Sequence, residues 1–139
     1  MISRISFFMF LFLSIYSCEK NSTEPSKEFD IQNLFQSWTH SYEEKRQTDA
    51  IQIYRPSTFK DFPPSRFRMK YVFHENGTCE WLYLHPADAH YMKTGKWEID
   101  PEDNNVILIY DTANKLLESV SFRIIELEKD ILQIIHGDL

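Results

Sequence analysis

Glycine is scarce in this chain of 139 residues, present at three positions (Gly77, Gly95 and Gly137), which excludes a loop that cradles phosphate with clustered glycines. Cysteine is scarcer: Cys18 and Cys79 are too few for a disulfide framework or a cysteine-rich zinc site. Positive charge is short as well, with 15 Lys and Arg against 21 Asp and Glu and a formal net charge of −6. A nucleic-acid surface needs a basic stripe that releases counterions, so no nucleic-acid partner is expected. The densest basic set, Arg66, Arg68 and Lys70, alternates along one segment and reads as a solvated strand face. There is no nucleophile elbow and no Cys-His signature, and the adjacent Glu43 and Glu44 point to opposite faces of a strand. Neither an enzyme nor a bound cofactor or metal is expected.

Apolar residues are plentiful, at 42% of the chain with 15% aromatic, enough for the core of one domain. The first block is at the N-terminus. Arg4 is the one charged residue among residues 1–17, and an unbroken run of mainly apolar residues extends from Ile5 to Tyr16. That run is shorter than the roughly 20 residues a spanning helix needs, and its layout is that of a cleavable signal peptide over 1–17. The junction Ile15-Tyr16-Ser17-Cys18 resembles the bacterial lipobox, with an aliphatic residue three before the cysteine and a small one just before it. The resemblance implies a diacylglyceryl group on the Cys18 thiol, cleavage before Cys18, and a protein held in the bacterial cell envelope, at the outer membrane. Acyl chains contribute about 0.8 kcal/mol per buried methylene, so such an anchor is nearly irreversible. Residues 18–28 then form a polar tether. Cys79, left without a disulfide partner, reads as a small buried hydrophobe.

The remaining residues, 29–139, read as an all-β domain. Phe29, Ile31, Leu34 and Phe35 give a short amphipathic segment, one or two helical turns placed to plug a barrel end. From Gln36 onward the apolar period is close to two, and eight strands are predicted at about 36–43, 50–55, 67–74, 77–84, 92–99, 105–110, 117–127 and 130–136. The third is the clearest: Phe67, Met69, Tyr71 and Phe73 alternate with Arg68, Lys70, Val72 and His74. Asn76-Gly77 follows, a hairpin signal because both positions tolerate positive φ. Short polar connections separate the later strands, as antiparallel neighbours require. Eight such strands leave no exposed edge if the sheet closes, so an eight-stranded antiparallel up-and-down barrel is expected. The proline-bearing stretch from Arg55 to Arg66 is placed as a cap over a barrel mouth, with His85 to Tyr91 as a second lid. His85, Asp88 and His90 lie on a loop with no helix to align them and read as surface residues rather than a metal site.

Leu34-Phe35-Gln36-Ser37-Trp38, Tyr71-Val72-Phe73-His74-Glu75-Asn76-Gly77-Thr78 and Gly95-Lys96-Trp97-Glu98-Ile99 together resemble the lipocalin-like domains of Bacteroidetes lipoproteins. That resemblance implies a barrel enclosing a small apolar ligand. Gln36 stands where lipocalins place glycine, and Arg123 is the nearest counterpart of the arginine that packs on their first-strand tryptophan. The candidate lining residues are Trp38, Phe67, Tyr71, Phe73, Trp81, Trp97, Tyr110 and Phe122, with Tyr83 beside them. A barrel of this size is just wide enough to be filled by side chains or to hold one ligand. Two functions follow. One is a membrane-anchored binder of a small hydrophobic or amphipathic molecule; the other is an envelope interaction protein with a packed barrel that contacts a protein partner through its outer surface.

Overall fold

Alternation of apolar and polar residues decides which face each strand buries, and in the computed structural model it does so around a closed barrel. The described residues are 28–44, 50–87, 89–112 and 120–137. The predicted signal segment, Cys18 and the predicted tether up to residue 27 lie outside them. Eight strands form: β1 (Ser37–His40), β2 (Gln52–Pro56), β3 (Lys70–Phe73), β4 (Thr78–Leu84), β5 (His90–Ile99), β6 (Val106–Asp111), β7 (Val120–Leu127) and β8 (Leu132–His136). All pairings are antiparallel, in the circular order β1-β2-β8-β7-β6-β5-β4-β3. The eight-stranded antiparallel barrel read from the sequence is therefore the fold.

One detail of the order differs from a strict up-and-down arrangement, in which β1 would meet β8 and β2 would meet β3. Strands β3 to β8 do meander, but the β1–β2 hairpin is inserted the other way about, with β2 on β8 and β1 on β3. The physical consequence is a return journey. Because β2 ends where β1 begins, residues 57–69 must travel back along the barrel before β3 can start. This strap covers the outer face of β1 instead of capping the mouth, which corrects the role predicted for the Arg55–Arg66 stretch. Ser57 N donates to Ser37 O at 2.8 Å, the Ser57 hydroxyl lies 2.7 Å from those of both Ser37 and Thr39, and Lys60 Nζ donates to the Ser41 hydroxyl at 2.7 Å. Hydroxyl side chains on the outside of β1 thus become buried, Thr39 to 8% and Ser41 to 1% exposure. Their polar atoms find partners in the strap, as buried hydroxyls must.

The predicted N-terminal plug is a single 3-10 turn, Ile31–Leu34, whose start is capped by Asp30 Oδ1 accepting from Gln32 N at 3.1 Å. It closes the end of the barrel at which β1 begins. Trp38 Nε1 donates to Leu34 O at 3.0 Å, and the Phe35 ring meets Trp97 at 5.8 Å. Gln36 Nε2 bridges Asn33 O and Lys129 O, both at 3.0 Å, fastening the plug to the β7–β8 turn. This gives a role to the residue that stands in place of the lipocalin glycine. Arg123 is no counterpart of the lipocalin arginine: it is solvent-facing and pairs with Asp103 at 2.6 Å, whereas Trp38 is buried inside. The Asn76-Gly77 hairpin is as read, with Gly77 at φ 78 and Asn76 Oδ1 accepting from Thr78 N at 3.0 Å.

Candidate functional site at the end of the barrel opposite the plug

Strand register assigns the inward positions. Trp38 and His40 on β1 lie opposite Pro56 and Tyr54 on β2; Tyr71 and Phe73 on β3 lie opposite Trp81 and Cys79 on β4. Directly opposed residues share a face, so these side chains enter the lumen together with Ile107, Phe122 and Ile134. Tyr71, Phe73 and Phe122 are at most 1% exposed; Tyr71 and Phe73 meet Phe122 across the lumen at 5.7 and 6.2 Å and each other along β3 at 5.9 Å. Phe73 also meets Trp97 at 6.0 Å, so from this aromatic layer to the plug a continuous run of rings occupies the lumen.

On the other side of that layer the inward positions turn polar. Going outward along β1, β2 and β8 they are His40, then Tyr54 and Gln52, then His136; β5 and β6 contribute Lys93 and Asp111. The His40 and Tyr54 rings stack at 4.9 Å with an interplanar angle of 18°, and His40 also meets Tyr42 at 4.0 Å. Tyr54 donates its hydroxyl proton to Gln52 Oε1 at 2.9 Å. Lys93 Nζ stands 4.0 Å from the Tyr83 ring centre and 3.8 Å from Asp111 Oδ2, a cation–π contact and an ion pair at the wall.

Tyr71 is the exception. Its hydroxyl is fully buried and has no partner within hydrogen-bonding geometry. An amide or hydroxyl withdrawn from water without a partner costs about 1–3 kcal/mol in proteins, so such a group calls for an explanation. Burial raises the Tyr71 and Tyr54 phenol pKa values far above ordinary, which keeps both protonated. His40 is pushed down to about 4, first by burial and then by the Arg68 charge, with Glu43 opposing and His136 adding to the depression. His136 is lowered too, by burial. At neutral pH both imidazoles are therefore uncharged, each with one donor and one acceptor nitrogen. Burial pushes the Cys79 thiol up to about 12, so it behaves as an apolar core atom rather than a nucleophile.

The predicted lining residues divide accordingly. Trp38, Tyr71, Phe73, Trp81 and Phe122 are brought together in the lumen. Trp97 is half-buried at the plugged end, with Nε1 donating to His74 O at 2.9 Å. Phe67 precedes β3 at the opposite end and meets His90 edge-on at 5.5 Å. Tyr110 is on the outer face, its hydroxyl donating to Glu98 Oε2 at 3.1 Å, and so does not line the lumen. Tyr83 sits at the wall under Lys93. His40, Gln52, Tyr54 and His136 were not among the residues singled out from the sequence. The signal for them was parity, since His40 is two residues from Trp38 and His136 two from Ile134. His85 and His90 are exposed at the β4–β5 turn, where His85 Nδ1 accepts from Ala87 N at 3.1 Å; Asp88 lies outside the described residues. Among the described residues no three His, Cys, Asp or Glu side chains are grouped to hold a metal. A separate groove of about 490 Å³ lies beside the plug, lined by Phe29, Ile31, Ile99 and Ile124 with Glu28, Asn104 and Asn105.

No family model, curated protein or solved structure matches the chain.

Proposed function

We propose that this is a lipid-anchored protein of the bacterial envelope, at the outer membrane, whose barrel binds a small amphipathic molecule at the end opposite the plug. The observation that carries this reading is the buried Tyr71 hydroxyl without a partner, set between an aromatic floor and a polar wall. The filled lumen below it argues against a long apolar ligand running the length of the barrel. It favours instead a short molecule whose flat apolar part rests on the rings and whose polar part meets His40, Gln52 and Tyr54. The lipocalin-like resemblance and the lipobox at Cys18 point the same way. The test is a screen of small amphipathic compounds against the full chain, read by tryptophan and tyrosine fluorescence. Binding that depends on Tyr71 supports the reading, and absence of any binder together with full insensitivity to Tyr71→Phe refutes it. For the anchor, Cys18→Ser is expected to move the protein from the membrane to the soluble fraction; unchanged retention would refute lipidation.

A second reading is favoured by one separate observation. Leu84 is 44% exposed and Met92 38% exposed, on the same outward face of the β4–β5 hairpin, an apolar pair suited to a protein partner. Cross-linking in the native envelope discriminates the two: recovery of the monomer alone counts against a partner.

A further inference from the structure

We infer that the ligand site of the barrel selects an uncharged molecule that presents an acceptor oxygen, such as a carbonyl or ether, to the Tyr71 hydroxyl, and rejects a carboxylate of the same shape. This rests on the ligand-binding reading above and names the chemistry of that site.

The inference follows from counting what the surrounding groups offer. Tyr71 supplies a proton and lacks an acceptor for it. Tyr54, whose ring meets that of Tyr71 at 5.5 Å, already directs its own proton to Gln52 Oε1. A ligand oxygen reaching Tyr71 thus completes a bond that the protein itself leaves unmade. Amine and guanidinium ligands are poor candidates because they bring donors to a donor.

Charge selects further. An anion brought to this depth must be balanced by a cation or lose several kcal/mol of hydration. Lys93 is held against Asp111 at the wall, so that pair sums to zero. Arg68 is balanced by Glu43, donating to Glu43 Oε1 at 2.8 Å and to His40 O at 2.7 Å. His40 and His136, which face the site, are both neutral at pH 7. Among the described residues the site therefore holds hydrogen-bonding capacity without net charge. Its floor is the Tyr71–Phe122 ring pair, which suits a flat apolar body.

Benzamide, benzoate and toluene have one ring size and differ in the head group, so they separate these requirements. Each is titrated into the full chain, wild type and Tyr71→Phe, and followed by backbone amide NMR shifts. Benzamide is expected to bind with shifts at Tyr54, Tyr71 and Phe122, and to weaken about five-fold in Tyr71→Phe, the worth of one neutral hydrogen bond. Benzoate is expected to bind at least about ten-fold more weakly, and toluene to be indifferent to the substitution. Benzoate binding as tightly as benzamide, or benzamide binding unaffected by Tyr71→Phe, overturns the selectivity while leaving a ligand site in place. If none of the three shifts these residues in either protein, the ligand-binding reading falls with it. Because Tyr71→Phe removes one buried oxygen and keeps the ring, the variant remains folded, and its amide spectrum verifies this directly.

Discussion

Tyr71 on β3 and Phe122 on β7 stand diametrically opposite, with three strands between them either way round the barrel, yet their ring centroids are 5.7 Å apart. Two rings meeting across the lumen act as a cross-brace. They divide the barrel into a packed half, running down to the plug, and a polar half above. Phe122→Ala removes the brace and leaves a cavity that rigid strands on both sides cannot collapse into. The expected loss is about 3–5 kcal/mol, measured as a fall in the urea midpoint. Phe122→Leu should lose markedly less, because it retains most of the buried volume.

Tyr71→Phe is expected to behave oppositely. The ring contacts are kept, while a hydroxyl that is desolvated without a bond is removed. Stability should rise by about 1 kcal/mol in the absence of ligand. A fall of that size in thermal or urea unfolding would mean that the hydroxyl is bonded after all, and the site described above would lose its foundation.

The pH dependence follows from His40. Its folded pKa is about 4 against 6.5 for the free side chain, so between those values the unfolded chain binds the proton that the folded one refuses. Stability is therefore complete above about pH 6.5 and declines as pH falls towards 4. The half-buried ring limits the effect to on the order of 1–2 kcal/mol. Urea midpoints at pH 7 and pH 5 should differ in the wild type, and His40→Gln should reduce the difference. Equal differences in both proteins would assign the titration elsewhere, with His136 the next group to substitute.

The strands were legible because their alternation is strong, and each predicted segment overlaps an observed one. What escaped was information that alternation does not carry. Val106-Ile107-Leu108-Ile109-Tyr110 is apolar throughout, so the run does not say which parity faces inward; Ile107 and Ile109 do, and Tyr110 does not. The order of the β1–β2 hairpin was equally hidden. Either orientation buries Trp38 and Tyr54, and the choice shows only in the hydroxyls of Ser37, Thr39 and Ser41, which need the strap as partner. The polar wall was passed over for a different reason. An isolated histidine on a strand carries no motif, and only the shared parity with Trp38 or Ile134 places it inside.

Gly95 tests the packing of the wall itself. A β-carbon there would stand 2.3 Å from Tyr110 O and 2.8 Å from the Trp81 ring. Trp81 lies flat over a position that has no side chain, and the neighbouring strand backbone blocks any retreat. Gly95→Ala is thus expected to destabilise by about 3 kcal/mol or more, as overpacking against backbone does at its severe end. Trp81→Phe in the same chain should recover only part of this, because the clash with the carbonyl persists.

Arg55 holds connections that the unusual strand order brings together. Its guanidinium makes a fork with Glu44 at 2.6 and 3.0 Å, and its third nitrogen donates to Asp130 O at 2.9 Å in the β7–β8 turn. Glu44 is also reached by Lys60 of the strap at 3.1 Å. The Arg55 fork holds Glu44 down to about 2, with the Ser41 and Lys60 hydrogen bonds adding to it and burial opposing. Since that pKa is lowered from 4.5, the contribution is present above about pH 4.5 and is lost as pH falls towards 2. Arg55→Lys keeps the charge but not the planar fork, and cannot span Glu44 and the Asp130 carbonyl together. A loss of about 1–2 kcal/mol is expected for Arg55→Lys at pH 7, close to that of Arg55→Met, and for both variants the gap from wild type should narrow as pH is lowered from 5 to 3. Full retention of stability by Arg55→Lys would show that charge alone suffices, and that the fork does not lock the inserted hairpin to the rest of the barrel.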